Sequence, residues 1–556
     1  MNKKVCSFPI LFALLALLIG TCAVVFPASA QAAPTSTGSI TVSGTVARSY
    51  DAYQIFSANV VDDDSDAKIA TDLAWASDAV RDAALPVLHS AGMPNSQTTA
   101  QEAAEWLNTD SHLTSALSAQ LARSLQSSGA VSVALNAGTA AELPCGYWLI
   151  VADDGAIAQG EAGTAPIMAL VGGSAVTVKP KAATPKVAKH VLEDSTAAWQ
   201  KAADATVADD LYWRLSATVP AGLTAYDTYT VRFVDTMGAG LDPSKVAASM
   251  HVYVAAGADG GFDAVSTGKD GRAGSEPAKG WTDITAQCAT KVAADGKTFT
   301  VRTGDLIAAL GGADAFTAGA RVVAVYNAPL NSACNHGIAK GNPNEVYLRY
   351  PRSPFADQSG DAGFTHTPSD DACAYTWDLA LTKRGSDGDK PLAGAVLSTA
   401  DDRGRTLAAD GTWDAQGKAT VTTGEDGRVT VSGVDSGKLE VRELKAPKGY
   451  TAFEGARSVT VKAEGLDVDQ VAAAKPKLTI TAESPLRADS ADGSTGSLEA
   501  SLINTPTGTP PSITTGGFMP STGDMAMYAA AAAAVAGAAL IVVALLVKRG
   551  GGSHKE

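Results

Sequence analysis

Seven Asp-Gly pairs, at Asp259, Asp270, Asp295, Asp387, Asp410, Asp426 and Asp492, punctuate this chain from residue 259 onward and stand between short runs rich in β-branched and aromatic residues. Asp-Gly supplies the positive φ that tight hairpin turns require, so a chain divided this way folds as antiparallel sheet. Residues 229–234 and 321–326 are strand-length apolar runs of this kind. Near the front, residues 39–46 alternate polar and apolar, the pattern of a strand with one buried face. A length of 556 residues is too great for one core and predicts about three to five domains. The expectation is a mainly β protein of tandem immunoglobulin-like sandwiches.

The first domain departs from this pattern. Ala104, Trp106, Leu107, Leu117, Leu121 and Leu125 recur at roughly helical spacing, with no glycine from 98 until Gly129, which predicts at least one amphipathic helix between 98 and 127. Short strands at 146–151 and 175–178 close the unit, giving a mixed β/α domain with helical insertions. The predicted order is a signal peptide at 1–30, a mixed domain at 31–184, a middle sandwich at 185–372 and a third sandwich at 373–505. A polar stretch, 355–373, reads as the joint between the two sandwiches. A Thr-, Pro- and Gly-rich linker follows at 506–518, then a terminal segment at 519–556.

Both ends carry apolar runs. Lys3 and Lys4 precede an apolar stretch reaching Phe26 and then Ala28-Ser29-Ala30, the pattern of a secretory signal cleaved after about residue 30. At the other end, residues 526–547 are uncharged and precede Lys548-Arg549. Twenty-two residues of helix span roughly 33 Å, enough to cross a ~30 Å hydrocarbon core. Lys plus Arg number 43 against 58 Asp plus Glu, a net charge of −15 that argues against nucleic acid as a partner.

Cys6 and Cys22 fall in the signal, leaving Cys145, Cys288, Cys334 and Cys373, too few for a disulfide scaffold and without zinc-ligand spacing. Cys334 and Cys373 flank the end of the middle domain and are the pair expected to bond, although four cysteines allow three full pairings and sequence does not choose. The seven histidines show no H-E-x-x-H spacing, and no phosphate-binding loop or nucleophile elbow is present. Neither a cofactor, a metal nor turnover on an external substrate is expected.

Met519-Pro520-Ser521-Thr522-Gly523, followed by the apolar span and the basic tail, resembles the cell-wall sorting signal of Gram-positive surface proteins, with Met519 where that signal begins with Leu. The resemblance implies a sortase that cuts between Thr522 and Gly523, a mature product of residues 31–522, and attachment to peptidoglycan. In the third domain, Leu379-Ala380-Leu381-Thr382-Lys383, Glu443-Leu444-Lys445-Ala446-Pro447-Lys448-Gly449-Tyr450 and Ile503-Asn504-Thr505-Pro506 resemble the collagen-adhesin B-type domain. There a Lys and an Asn condense into an isopeptide bond with loss of ammonia, which here implies Lys383 and Asn504 with Glu443 as the catalytic acid. A lysine attacks only when neutral, and burial favours the neutral amine as it favours a neutral carboxylic acid. The aromatic residue that usually stands four positions before the Glu is Leu439.

The middle domain is similar to the isopeptide-forming domain of Gram-positive backbone pilins, which implies Lys189 as nucleophile and Asp235 as acid. The acceptor position of that family, two residues after Tyr350, holds Arg352, so the domain either lacks the bond or uses a nearby Asn such as Asn344. Val178-Lys179-Pro180-Lys181 is similar to the pilin motif Val-Tyr-Pro-Lys. That similarity implies that Lys181 attacks the sortase-held Thr522 of a neighbour, giving a head-to-tail open filament. Taken whole, the chain resembles a sortase-assembled major pilin, a structural subunit of a covalent surface pilus. The alternatives are an ancillary pilin or a stand-alone wall-anchored adhesin, either of which would meet host surface ligands.

Overall fold

The computed structural model describes residues 36–508 except 45–47, 64–66, 110, 154, 156, 158–159, 181–183, 221–222, 257–279 and 317–319. The expected signal peptide, Lys181, the sorting signal with Thr522, and the apolar span 526–547 therefore lie outside the described residues. Among the described residues no helix is long and apolar enough to cross a membrane.

The first unit is built on the strand Ser49–Asp62, which pairs with Lys68–Trp75, Ser132–Asn136 and Gly146–Ala152. A small second sheet sets Thr37–Val42 between Ala140–Pro144 and Val176–Val178. Three helices cover one face of the main sheet: α1 (Asp78–Ser90), α2 (Ala100–Asn108) and α3 (Ser115–Ser128). The helical stretch expected at 98–127 is thus two helices. Thr99 and Glu102 form a capping box that starts α2, Thr114 caps α3, and Gly129 ends it at φ 74°. Helix α1 was not expected; Pro86 inside it breaks the helical signal. Leu121, Ala122 and Leu125 of α3 pack on Phe56, Leu149 and Val151 of the sheet.

In the middle unit a six-stranded sheet faces a seven-stranded one around Trp213, Phe233, Phe299, Tyr326 and Tyr350. The stretch expected as a joint is part of this unit. Phe364–His366 pairs with Asn342–Pro351, and so does Asp370–Tyr375, which places the change of domain at Thr376. The third unit is a sandwich of five and seven strands around Trp377, Leu379, Leu397, Val441, Leu498 and Ala500. Its first strand, Trp377–Gly385, runs parallel to its last, Ser497–Pro506, in continuous register.

Direct contacts order the units in a row. Between first and middle, Arg123 donates to Pro354 O (3.0 Å), Tyr350 Oη to Glu161 O (2.9 Å) and Gly163 N to Arg352 O (2.8 Å). Between middle and third, Asp204 Oδ2 accepts from Trp377 Nε1 (2.6 Å) and Ser436 N (2.9 Å), while Asp209 binds Arg403 and Arg405. The expected Cys334–Cys373 disulfide is not formed, since both thiols are free. Asn342 bridges the loop that carries Cys334 and the strand that carries Cys373, bonding Asn335 N and O in the one and Ala374 O in the other.

Candidate functional site

In the third unit the parallel pairing sets Lys383 opposite Leu502 and Gly385 opposite Asn504. Lys383 and Asn504 thereby share the inward face two registers apart, although 121 positions separate them in sequence. Lys383 Nζ donates to Asn504 Oδ1 and lies 3.2 Å from Glu443 Oε1. The acid reaches across from the opposite sheet on the strand Gly437–Lys445. Asn504 Nδ2 donates to Glu443 Oε1 at 2.9 Å and Oε2 at 3.0 Å, and Phe453 N donates to Oε2 at 3.2 Å. All three side chains are buried, with relative exposures of 1 % for Lys383, 2 % for Asn504 and 8 % for Glu443.

This arrangement matches the chemistry of amide exchange. Burial pushes the Lys383 amine down to about 8, against the opposing pull of Glu443, so a sizeable neutral fraction exists at neutral pH. The nucleophile rests on the carbonyl side of the Asn504 amide. The carboxyl group rests on its nitrogen, where it can pass a proton to departing ammonia. Leu439 is a buried core residue, and the aromatic side chain near the amine is Phe453, whose ring centre is 5.9 Å from Lys383 Nζ. Phe453 comes from a loop ten residues beyond Glu443, so no local pattern around the acid marks it.

The middle unit holds a second set. Lys189, Asp235, Tyr326 and Asn344 are all fully buried. Lys189 Nζ contacts Asp235 Oδ2 and donates to Tyr326 Oη at 2.9 Å, and that hydroxyl donates to Asp235 Oδ2 at 3.0 Å. Asn344 Nδ2 donates to the same Tyr326 hydroxyl at 2.8 Å. Asp235 and Asn344 stand on adjacent strands, opposite Val346 and Met237 respectively, and so face inward together. The Lys189 amine lies 5.5 Å from the Trp213 ring centre, and burial lowers it to about 8. The same burial raises the Asp235 carboxyl above its ordinary range, outweighing the attraction of Lys189.

Arg352 lies elsewhere. It follows Asn344 by eight residues along an extended strand, about 26 Å at ~3.3 Å per residue, and its main chain bonds Gly163 and Gly363 at the junction with the first unit. Asn344 is therefore the carboxamide that the fold brings to Lys189. Tyr326, the hydroxyl joining amine, acid and amide, carried no signal in the sequence. The strand preceding the Lys181 motif, Val176–Val178, is an edge of the small first-unit sheet, while Lys181 itself is outside the described residues.

The family model described as the SpaA prealbumin-like fold domain matches residues 378–475, the span that contains Lys383 and Glu443. The trypsin-resistant surface T6 protein of Streptococcus pyogenes serotype M6 is 31 % identical over 134 residues, 23 % of this chain and 23 % of that protein. The match thus spans less than a quarter of that relative. Among solved structures, the T6 backbone pilin of serotype M6 S. pyogenes aligns with 85 % of this chain and 98 % of its own at 16 % identity and a TM-score of 0.46. The full-length major pilin SpaD from Corynebacterium diphtheriae aligns with 86 % of this chain and 100 % of its own at 15 % identity and a TM-score of 0.42. Residues 378–475 match the SpaA prealbumin-like fold domain, and the chain is similar to Gram-positive backbone pilins.

Proposed function

We propose that this protein is the structural subunit of a covalently linked cell-surface pilus, its domains closed by internal isopeptide bonds. The observation that carries this reading is the buried contact of Lys383 with the Asn504 amide under Glu443, joining the first strand of a sandwich to its last. A bond there routes tension through the covalent chain, bypassing the strands between, which suits a subunit pulled from both ends. In the middle domain Lys189 attacks Asn344, with Asp235 as acid and Tyr326 holding amine and amide together. Between subunits, sortase joins Thr522 of one chain to Lys181 of the next, and the finished polymer is attached to peptidoglycan at the cell surface. The protein is then a sortase substrate that performs one self-directed condensation per site.

Intact-mass measurement of the purified chain tests the internal bonds. Each condensation releases one ammonia, ~17 Da, so the chain should weigh about 34 Da less than its sequence. Asn344→Ala should weigh about 17 Da less than its own sequence, and a chain carrying both Asn344→Ala and Glu443→Ala should show no loss. A wild-type deficit of only about 17 Da, unchanged by Asn344→Ala, would remove the middle-domain bond from the account. No deficit at all would remove both.

A further inference from the structure

At the joint between the middle and third domains, Cys334 Sγ lies 3.6 Å from His336 Nε2, and His336 Nδ1 lies 2.7 Å from Asp378 Oδ1. Cysteine and histidine belong to the middle domain, whereas the carboxylate stands at the start of the first strand of the third. The array is held in place. Asn335 N bonds Asn342 Oδ1, Gly337 N bonds Thr376 O, and Gly433 N donates to Asp378 Oδ1. The hydrogen bond that His336 Nδ1 donates to Asp378 is the largest cause raising the ring to about 10, so it is a cation at neutral pH and presents its other N–H to sulfur. A fixed imidazolium beside a cysteine is the environment that makes a thiolate nucleophile.

The other described cysteines lack this arrangement. Cys288 is half-buried and hydrogen-bonds Ile284 O, and burial pushes its thiol up to about 11. Cys373 is buried, and its thiol also rises to about 11. Cys145 is 1 % exposed. Cys334 is buried at 8 % exposure, while the His336 and Asp378 side chains are 27 % and 34 % exposed, so the array meets solvent at its histidine and carboxylate rim.

We propose that Cys334 is a peroxide-reactive modification site, its sulfur converted to sulfenic acid with His336 as proton donor to the leaving group. The Cys334 thiol proton is lost to water, which later returns one to His336 Nε2, and the thiolate paired with the imidazolium attacks one peroxide oxygen. The S–O bond forms as the O–O bond breaks, and the departing hydroxide takes the His336 Nε2 proton and leaves as water. Sulfur is oxidised by two electrons and peroxide is reduced by two. Asp378 is a positioning residue that fixes the ring and compensates its charge.

The test treats the purified full chain with hydrogen peroxide in the presence of dimedone, which traps sulfenic acids, and quantifies adducts on each cysteine peptide by mass spectrometry. Accessibility alone favours Cys288, so the comparison within one wild-type sample is decisive. Cys334 should carry adduct at least about tenfold faster than Cys288, and His336→Gln should slow it by about tenfold. Cys288 labelling as fast as Cys334 overturns the proposal, as does unchanged labelling in a His336→Gln chain that keeps the wild-type circular dichroism spectrum.

Discussion

Lys383 and Lys189 each place an amine in a sandwich core, where an ammonium is costly and a neutral amine is a nucleophile. The sign of the resulting pH dependence can be worked out for a chain that cannot form the bond. Burial holds the Lys383 amine at about 8 against the ordinary 10.5, and since its causes are burial and Glu443, not Asn504, the same displacement is expected in Asn504→Ala. Between those values the unfolded state binds more protons, so stability rises with pH from about 8 to about 10.5 and is flat below. Thermal melts of the third-domain transition should show this rise in Asn504→Ala. They should not show it in wild type, where the amine has become an amide and no longer titrates. Equal pH dependence in the two chains would mean that Lys383 is still a free amine in wild type. At this scale Lys383, Glu443 and Asn504 were legible because each sits in a short recognisable string. Asn344 and Tyr326 were less so, because their approach to Lys189 is set by how two sheets pack, a distance that no local string encodes.

Among the elements, the strand pair Trp377–Gly385 and Ser497–Pro506 matters most to the proposed function, since it brings the chain's entry to the third domain beside its exit. A bond between its members closes the domain against pulling at either end. The β architecture was legible from the Asp-Gly turns, and Gly296, Gly411 and Gly427 do take positive φ. The helices of the first unit were less legible. Ala-rich α1 contains Pro86, and the run expected as one helical stretch is interrupted between Asn108 and Ser115, where the chain turns and restarts on the Thr114 cap. The capping box gives α2 a defined weak point. Removing the side-chain oxygen by Thr99→Ala should cost about 1 kcal/mol locally and speed amide hydrogen exchange in α2 by about fivefold. Exchange in α3, which has its own cap, should be unchanged. Equal acceleration in both helices would show that they open as one unit.

As a whole molecule the chain is three β-rich units in a row, with polar junctions that fix each to the next through named contacts. A mainly β chain of several units was legible in length and turn spacing. The role of 355–373 was not, because this polar stretch reads as linker while 364–366 and 370–375 are taken up by middle-domain strands. The central claim is that such units are joined end to end through Lys181 and Thr522. The most direct measurement is an immunoblot of cell-wall extracts, boiled in SDS, from cells producing the wild-type chain or Lys181→Ala. The account predicts a ladder of high-mass species for wild type and a collapse to monomer for Lys181→Ala. The same ladder in both lanes would contradict Lys181 as the linkage site, and its absence from both would contradict the polymer itself.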